Sequence, residues 1–294
     1  MANGAHEYDV VLMGPGLNAA GVDSFAALLE EHSIHILERK WPGEPQPMAL
    51  HMLCSREEEV SAELRTLLMD EAERLRLDAF VLDATRQRPR LFVFDMDSTL
   101  IQAEVIDELA GLAGVKDRVA AITERAMRGE INFRGALDER LRLLKGLPET
   151  RLQELIESVL VSEGLEALMA GLHEAKVKTA IVSGGFGFFG RHLKQRLGFD
   201  YLFCNELEIV DGVLTGRVGA EVVDATKKAA SLREVAERED IPLEQVVAVG
   251  DGANDLPMMR LAGIGVAYRA KPVVKAAAQY RLSHSHLNSL LHLL

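Results

Sequence analysis

Residues 91–94, Leu-Phe-Val-Phe, form an apolar run with no polar alternation, the pattern of a short strand buried on both faces. Similar short runs occur at 178–182 (KTAIV), 246–249 (VVAV) and 264–267 (IGVA), the last read as the final strand of the sheet. Between 104 and about 160 the apolar positions follow a helical period instead, broken at Gly111, Gly114, Gly129 and Gly146-Leu147-Pro148. Short helices between two strands predict a cap inserted over one end of an α/β sheet. Residues 206–218 alternate around Asp211-Gly212, a hairpin signal. Residues 224–236 read as a helix carrying Lys227 and Lys228.

The first 85 residues follow another rhythm. A strand at 8–13 ends in Gly14-Pro15-Gly16, and Val22, Phe25, Ala26, Leu28 and Leu29 mark a helix over 22–32. Strands near 34–36 and 48–54 flank the turn-like WPGEPQP at 41–47. An amphipathic helix at 57–76 turns Val60, Leu64, Leu67, Leu68, Ala72 and Leu75 inward, and a strand at 78–82 follows. The order βαββαβ predicts a small ferredoxin-like α+β sandwich. With the glycine turn at 14–21, this module resembles an ACT domain, although that turn lacks the acidic or basic pair of effector-binding members. The resemblance implies either amino-acid sensing or packing, including a homodimer through this domain. The expected organisation is 1–85 for this module, 86–90 for a basic linker, and 91–294 for the α/β unit, with its cap at about 104–160 and its hairpin at about 206–218.

Composition narrows the partners. The chain has 294 residues, 48% of them hydrophobic, and a formal charge of −12 from 33 Lys+Arg against 45 Asp+Glu. That balance argues against nucleic acid and anionic membrane as partners, both of which call for a basic surface. Cys54 and Cys204 form no CxxC pair, so no zinc cluster or disulfide framework follows. The opening MANGAHEYDV has no basic n-region or apolar h-region, and no apolar run is long enough to span a membrane. A cytoplasmic protein is expected.

Chemistry-bearing residues collect at the strand ends. The strand at 91–94 stops in Asp95-Met96-Asp97-Ser98-Thr99, and open α/β sheets place ligands at such ends. A plain turn of Asp and Ser is the simpler alternative. The strand at 178–182 ends in Ser183-Gly184-Gly185, a hydroxyl with exposed amides that forms an anion cradle. Gly185-Phe186-Gly187-Phe188-Phe189-Gly190 matches the dinucleotide fingerprint GxGxxG, but it leaves the two aspartates unexplained. After 246–249 comes Gly250-Asp251-Gly252-Ala253-Asn254-Asp255, acids spaced by glycine as in a Mg²⁺ loop. On the cap, Arg140 falls within about 20° of Phe133 on the apolar stripe Phe133/Leu137/Leu141/Leu144. A guanidinium there needs an anionic partner, either a nearby acid or a substrate carboxylate. Glu104 opens a helix, where an acid is favoured by the helix dipole. His284, His286 and His292 lack ligand spacing and read as surface residues of the tail.

Together these parts are what phosphoryl transfer needs: a carboxylate nucleophile, a second carboxylate as acid and base, a lysine and a hydroxyl for the phosphoryl oxygens, and Mg²⁺ to screen the charges. The order of the four motifs resembles the haloacid dehalogenase-like hydrolases. Residues 91–290 are similar to the phosphoserine phosphatase group of that family through DMDST, Glu104, the cap segment Met127 to Arg140, SGGF, Lys228 and GDGAND. The resemblance implies a Rossmann-like core and Mg²⁺-dependent hydrolysis of O-phospho-L-serine through a phospho-aspartyl intermediate. It implies Asp95 as nucleophile and Asp97 as general acid/base. Ser183, the Gly184 backbone, Lys228 and Asn254 would meet the phosphate, with Asp255 supporting the loop. Asp95, Asp251 and the Asp97 carbonyl would hold Mg²⁺, while Glu104 and Arg140 would take the serine ammonium and carboxylate. Two alternatives keep other readings open: another small phosphomonoester or a phosphotransfer reaction, and a non-enzymatic amino-acid-sensing or receiver-type regulator.

Overall fold

A computed structural model describes residues 5–42, 48–219 and 221–294; the expected turn at 41–47 therefore lies, from 43 on, outside the described residues. The chain opens with β1 (His6–Met13), α1 (Ala19–Glu31), β2 (His35–Lys40), β3 (Ala49–Arg56), α2 (Ala62–Arg74) and β4 (Asp78–Asp83). The four strands pair antiparallel in the order β2-β3-β1-β4. Both helices start where a side chain satisfies an open amide. Asn18 accepts from the Gly21 N–H and Ser61 from the Leu64 N–H, so α1 begins three residues earlier than expected and α2 five later.

Side-chain alternation divides this sheet between two cores. Tyr8, Val10 and Leu12 of β1, with Ala79 and Val81 of β4, pack with Phe25, Leu29 and Leu68 of the helices. Val11, Met13, Phe80 and Leu82 point the other way, into the core of the following α/β unit. A strand whose two faces are both buried shows no polar alternation.

The α/β unit begins with β5 (Leu91–Phe94) and continues through four cap helices, α3 (Val105–Leu112), α4 (Lys116–Met127), α5 (Phe133–Leu143) and α6 (Thr150–Ser158). Then follow α7 (Leu165–Glu174), β6 (Lys178–Phe186), α8 (Gly187–Leu197), β7 (Tyr201–Asn205), the hairpin β8 (Leu207–Val210) and β9 (Val213–Val218), and α9 (Ala225–Arg238). The last elements are β10 (Val246–Gly250), α10 (Leu256–Leu261), β11 (Ile264–Tyr268), α11 (Pro272–Ala277) and β12 (Tyr280–Leu282). The sheet is parallel throughout, in the order β12-β11-β10-β5-β6-β7. Its last strand is β12, not 264–267; three residues are too few to carry a period. The chain leaves β5 toward β6 and β7, then returns to its other side for β10, β11 and β12. The C-terminal end of β5 is thus a switch point, where such sheets open a crevice.

The hairpin braces the cap. The Gly146 and Glu149 amides donate to the Leu214 and Gly212 carbonyls. A β-carbon at Gly216 would stand 2.9 Å from the Leu141 carbonyl, at a φ of +81° that disfavours other residues.

The C-terminal tail is not a surface feature as the sequence suggested. His292 is buried, with its Nδ1 3.2 Å from Nε2 of His51, whose own Nδ1 faces Asp9 at 3.2 Å. His284 is half-buried; only His286 is exposed, beside Glu163. Asp78, at the start of β4, accepts from the consecutive amides of Ser283, His284 and Ser285, and Phe80 stacks on Tyr280. Among the described residues no helix is long and apolar enough to cross a membrane.

Candidate active site

The β5 ladder extends one residue past the strand, where the Asp95 amide donates to the Val249 carbonyl at 2.9 Å. This seats the Asp95 side chain over the end of the sheet, almost wholly buried. The chain then turns sharply. The Thr99 and Leu100 amides fold back on the Met96 carbonyl, and Ser98 takes the left-handed conformation at φ +57°.

Opposite Asp95, α9 delivers Lys228. Asp224 caps this helix by accepting from the Lys227 N–H, and the buried positions Lys228, Ser231, Leu232, Val235 and Ala236 form its inner stripe. Lys227, about 100° round the helix, pairs with Glu221 instead. Lys228 Nζ donates to Asp95 Oδ1 and Asp255 Oδ1, each at 2.6 Å. Asp255 is locked by the Gly252 amide, 2.9 Å from its Oδ2, and any β-carbon at Gly250 would collide with it. Asp251, the first acid of this loop, accepts from the Thr99 hydroxyl at 3.3 Å.

Asp95, Asp251 and Asp255 each offer an oxygen within 4.8 Å of the others. One ammonium faces three carboxylates. Burial, with Asp95, Asp255 and Glu104 nearby, pushes the Asp251 carboxyl up to about 7. Burial also raises Asp255, with Asp95 adding to the effect and Lys228 opposing it. Burial works against the charge of Lys228, yet Asp95 and Asp255 outweigh it and hold the ammonium above its ordinary range. A second positive charge would relieve this imbalance. The all-oxygen donor set suits a hard divalent cation.

Asp97 lies near enough to Glu104, Asp95 and Lys228 to feel their charges. Its Oδ1 is buried with no hydrogen-bond partner among the described residues, and a β-carbon at Gly185 would come within 2.9 Å of its Oδ2. Burial first, then the charges of Glu104 and Asp95, raise its carboxyl well above the usual range. A carboxyl raised in this direction is better suited to donate a proton than an ordinary one.

Ser183 is buried at the irregular end of β6, its Oγ accepting from the Gly185 amide at 3.0 Å. The cap covers this end of the sheet. Phe133, expected on the apolar stripe of its helix, is instead partly exposed at the start of α5, where its ring edge would stand 3.3 Å from a β-carbon at Gly184. Glu104 stands at the N-cap position of α3 without a side-chain capping bond, and its carboxylate accepts from the Ser98 hydroxyl at 2.8 Å. Arg140 is half-buried on α5; its Nε donates to the Ala136 carbonyl at 3.3 Å, and among the described residues no carboxylate lies in ion-pair contact with it. Burial lowers its pKa, opposed by the charges of Asp107, Glu104 and Asp97. The guanidinium thus faces acids without being consumed by one.

The structure gathers Asp95, Asp97, Ser183, Lys228, Asp251 and Asp255 at one end of the sheet, with Glu104 and Arg140 on the cap side and Asn254 on the short turn 253–255 that also carries Asp255. Sequence reasoning overlooked Thr99, which holds Asp251, and the buried Asn205. An Asn ending a strand that is otherwise Tyr-Leu-Phe-Cys was the available signal for the second.

Residues 92–260 match the family profile of haloacid dehalogenase-like hydrolase. The chain is 50% identical over 236 residues to a phosphoserine phosphatase of Archaeoglobus fulgidus, covering 80% of this chain and 69% of that one. A HAD family hydrolase of Salmonella enterica serovar Typhi superposes with a TM-score of 0.88 at 31% identity, over 97% of this chain and 98% of the other. A substrate-bound phosphoserine phosphatase complex aligns at 40% identity and TM-score 0.66, covering 70% of this chain and 98% of its own. With over half its length in that match, the chain belongs to the haloacid dehalogenase-like hydrolases.

Proposed function

We propose that this chain is a phosphoserine phosphatase, hydrolysing O-phospho-L-serine to L-serine and phosphate. The observation that carries this reading is the buried contact of Asp95 with Lys228, beside an Asp97 whose carboxyl is raised well above its ordinary range, chiefly by burial. In the first step Asp95 Oδ attacks phosphorus; the new O–P bond forms as the serine ester O–P bond breaks, and Asp97 gives its proton to the departing serine oxygen. Asp97, now ionised, takes a proton from water. That water attacks the phospho-aspartate, releasing phosphate and restoring Asp95. Lys228, the Ser183 hydroxyl and the Gly184 backbone hold the phosphoryl oxygens as charge builds, with Asn254 near them.

Asp95, Asp251 and the Asp97 carbonyl would hold Mg²⁺, which when bound neutralises charge between the carboxylates and the phosphoryl group. Arg140 and Glu104 would take the carboxylate and ammonium of serine, small-molecule recognition that an aryl phosphate does not need. The first 85 residues are read as an ACT-like regulatory or dimerisation module joined by the linker 86–90, and the protein as cytoplasmic.

Phosphate release from L-phosphoserine with Mg²⁺, comparing wild type with Asp95→Asn and an EDTA control, tests the reading. Metal-dependent turnover lost in the variant supports it. Turnover confined to an aryl phosphate keeps the chemistry and rejects the substrate; silence on both rejects the enzyme.

A further inference from the structure

Asn205 closes β7 with no exposed surface, and nothing in the mechanism above uses it. Its amide bridges two segments that reach the site from different directions. Nδ2 donates to the Gly184 carbonyl at 2.7 Å, and Oδ1 accepts from the Val223 amide at 2.9 Å. Each partner matters for what lies next to it.

The Gly184 carbonyl and the Gly185 amide belong to one peptide unit, which is planar and trans, so fixing the carbonyl fixes the N–H pointing the opposite way. That N–H is the donor to Ser183 Oγ at 3.0 Å. With its lone pair engaged there, the hydroxyl keeps its hydrogen for another acceptor. The other arm ends one residue before Asp224, the cap of α9, and Lys228 stands one turn along that helix. Gly184 leaves no slack: a β-carbon there would press the Val223 carbonyl at 3.2 Å and the Phe133 ring at 3.3 Å.

We infer that Asn205 is a positioning residue for phosphoryl transfer, its side-chain amide orienting the Ser183 hydroxyl through the Gly184–Gly185 peptide and tying that cradle to the helix that carries Lys228. The inference rests on the phosphatase reading. It goes beyond it by making two phosphate-binding groups from separate elements depend on one amide. Removing that amide leaves a buried carbonyl and a buried N–H without partners and lets serine and lysine drift apart, and misplacement of this kind costs orders of magnitude in rate.

The test is Asn205→Asp, assayed from pH 5.5 to 8.5 as a ratio to wild type with both L-phosphoserine and an aryl phosphate. An ionised Asp keeps the acceptor for Val223 but turns a second acceptor on the Gly184 carbonyl. A protonated Asp has one donor and one acceptor, the pattern of the Asn. The charged groups acting on this end of β7 are Asp97, Asp95 and Lys228 of the site and the exposed Glu206, which pairs with Arg191; all are common to both proteins, and Asn205→Ser, which adds no carboxyl, reports any pH dependence that is theirs. The expected result is a kcat loss of about 10- to 100-fold at pH 8.5, equal for the two substrates, that shrinks as the pH falls. Asn205→Ser, too short to span both partners, should lose activity without recovery, and it carries the comparison of the two substrates if the Asp variant does not fold at high pH. Wild-type-like kcat in either folded variant, or an Asp variant whose loss is the same at every pH, overturns the inference. Failure of wild type to turn over either substrate overturns the phosphatase reading instead, so the two failures are distinguishable.

Discussion

Lys228 Nζ stands 2.6 Å from Asp95 Oδ1, with both side chains shut away from water. The same ammonium serves Asp255, so its removal strands two buried carboxylates. Lys228→Met should cost about 3–5 kcal/mol of stability and lower kcat by about 10²- to 10³-fold. Urea denaturation at pH 7.5 and steady-state kinetics check the two figures separately. A variant as stable as wild type would mean that the acids find another counter-charge.

Arg140 has acids around it and none in contact. Arg140→Ala should therefore raise KM for L-phosphoserine by roughly 100-fold, a charge-assisted contact of about 2–3 kcal/mol, and leave KM for an aryl phosphate nearly unchanged. Equal losses on both substrates would give Arg140 a role in holding the cap.

Asp78 gathers three consecutive amides from the far end of the chain. Truncating it leaves buried donors without acceptors, so Asp78→Ala should lose roughly 3 kcal/mol. The urea transition should stay single, because the same sheet feeds both cores. Two separated transitions would show that the N-terminal sheet folds independently of the rest.

Burial pushes the Cys54 thiol from its ordinary 9.0 up to about 12. Between those values the unfolded chain has released this proton and the folded chain has kept it. The folded state binds more protons, so stability present below pH 9 is lost as the pH rises, at up to about 1.4 kcal/mol per pH unit. Wild type should lose stability faster than Cys54→Ala between pH 9 and 10.5, by urea titration; parallel curves would contradict the shift. Cys204 is held up in the same direction by its own burial. Cys54, which has no exposed surface, should not react with a maleimide at pH 7 until the protein unfolds.

What the sequence disclosed follows from how each signal is written. β5 and its two aspartates were legible because a strand buried on both faces shows an unbroken apolar run, and the acids sit where that run stops. Lys228 could not be told from Lys227 by charge, yet the inner stripe through Leu232, Val235 and Ala236 runs back to 228 and not to 227. The starts of α1 and α2 were misplaced because caps, not apolar residues, set them. Phe133 fitted the helical angle but stands at a helix end, where the facing surface is the Gly184 loop. His292 and β12 were misread because their burial comes from contacts with residues more than a hundred positions away, which no local period records. Asn205 escaped because its partners, Gly184 and Val223, lie 21 and 18 positions away on other segments, also out of reach of a local period.

The back of the N-terminal sheet has a consequence for how such proteins are assembled and cut. A substrate-bound relative is covered over 98% of its length by 70% of this chain. Here Val11, Met13, Phe80 and Leu82 close the hydrophobic interior of the α/β unit. Cleavage between 86 and 90 would not release two finished pieces; it would leave apolar surface bare on each. The joint expected from the sequence marks a change in hydrophobic rhythm. It is not a line along which the present molecule comes apart.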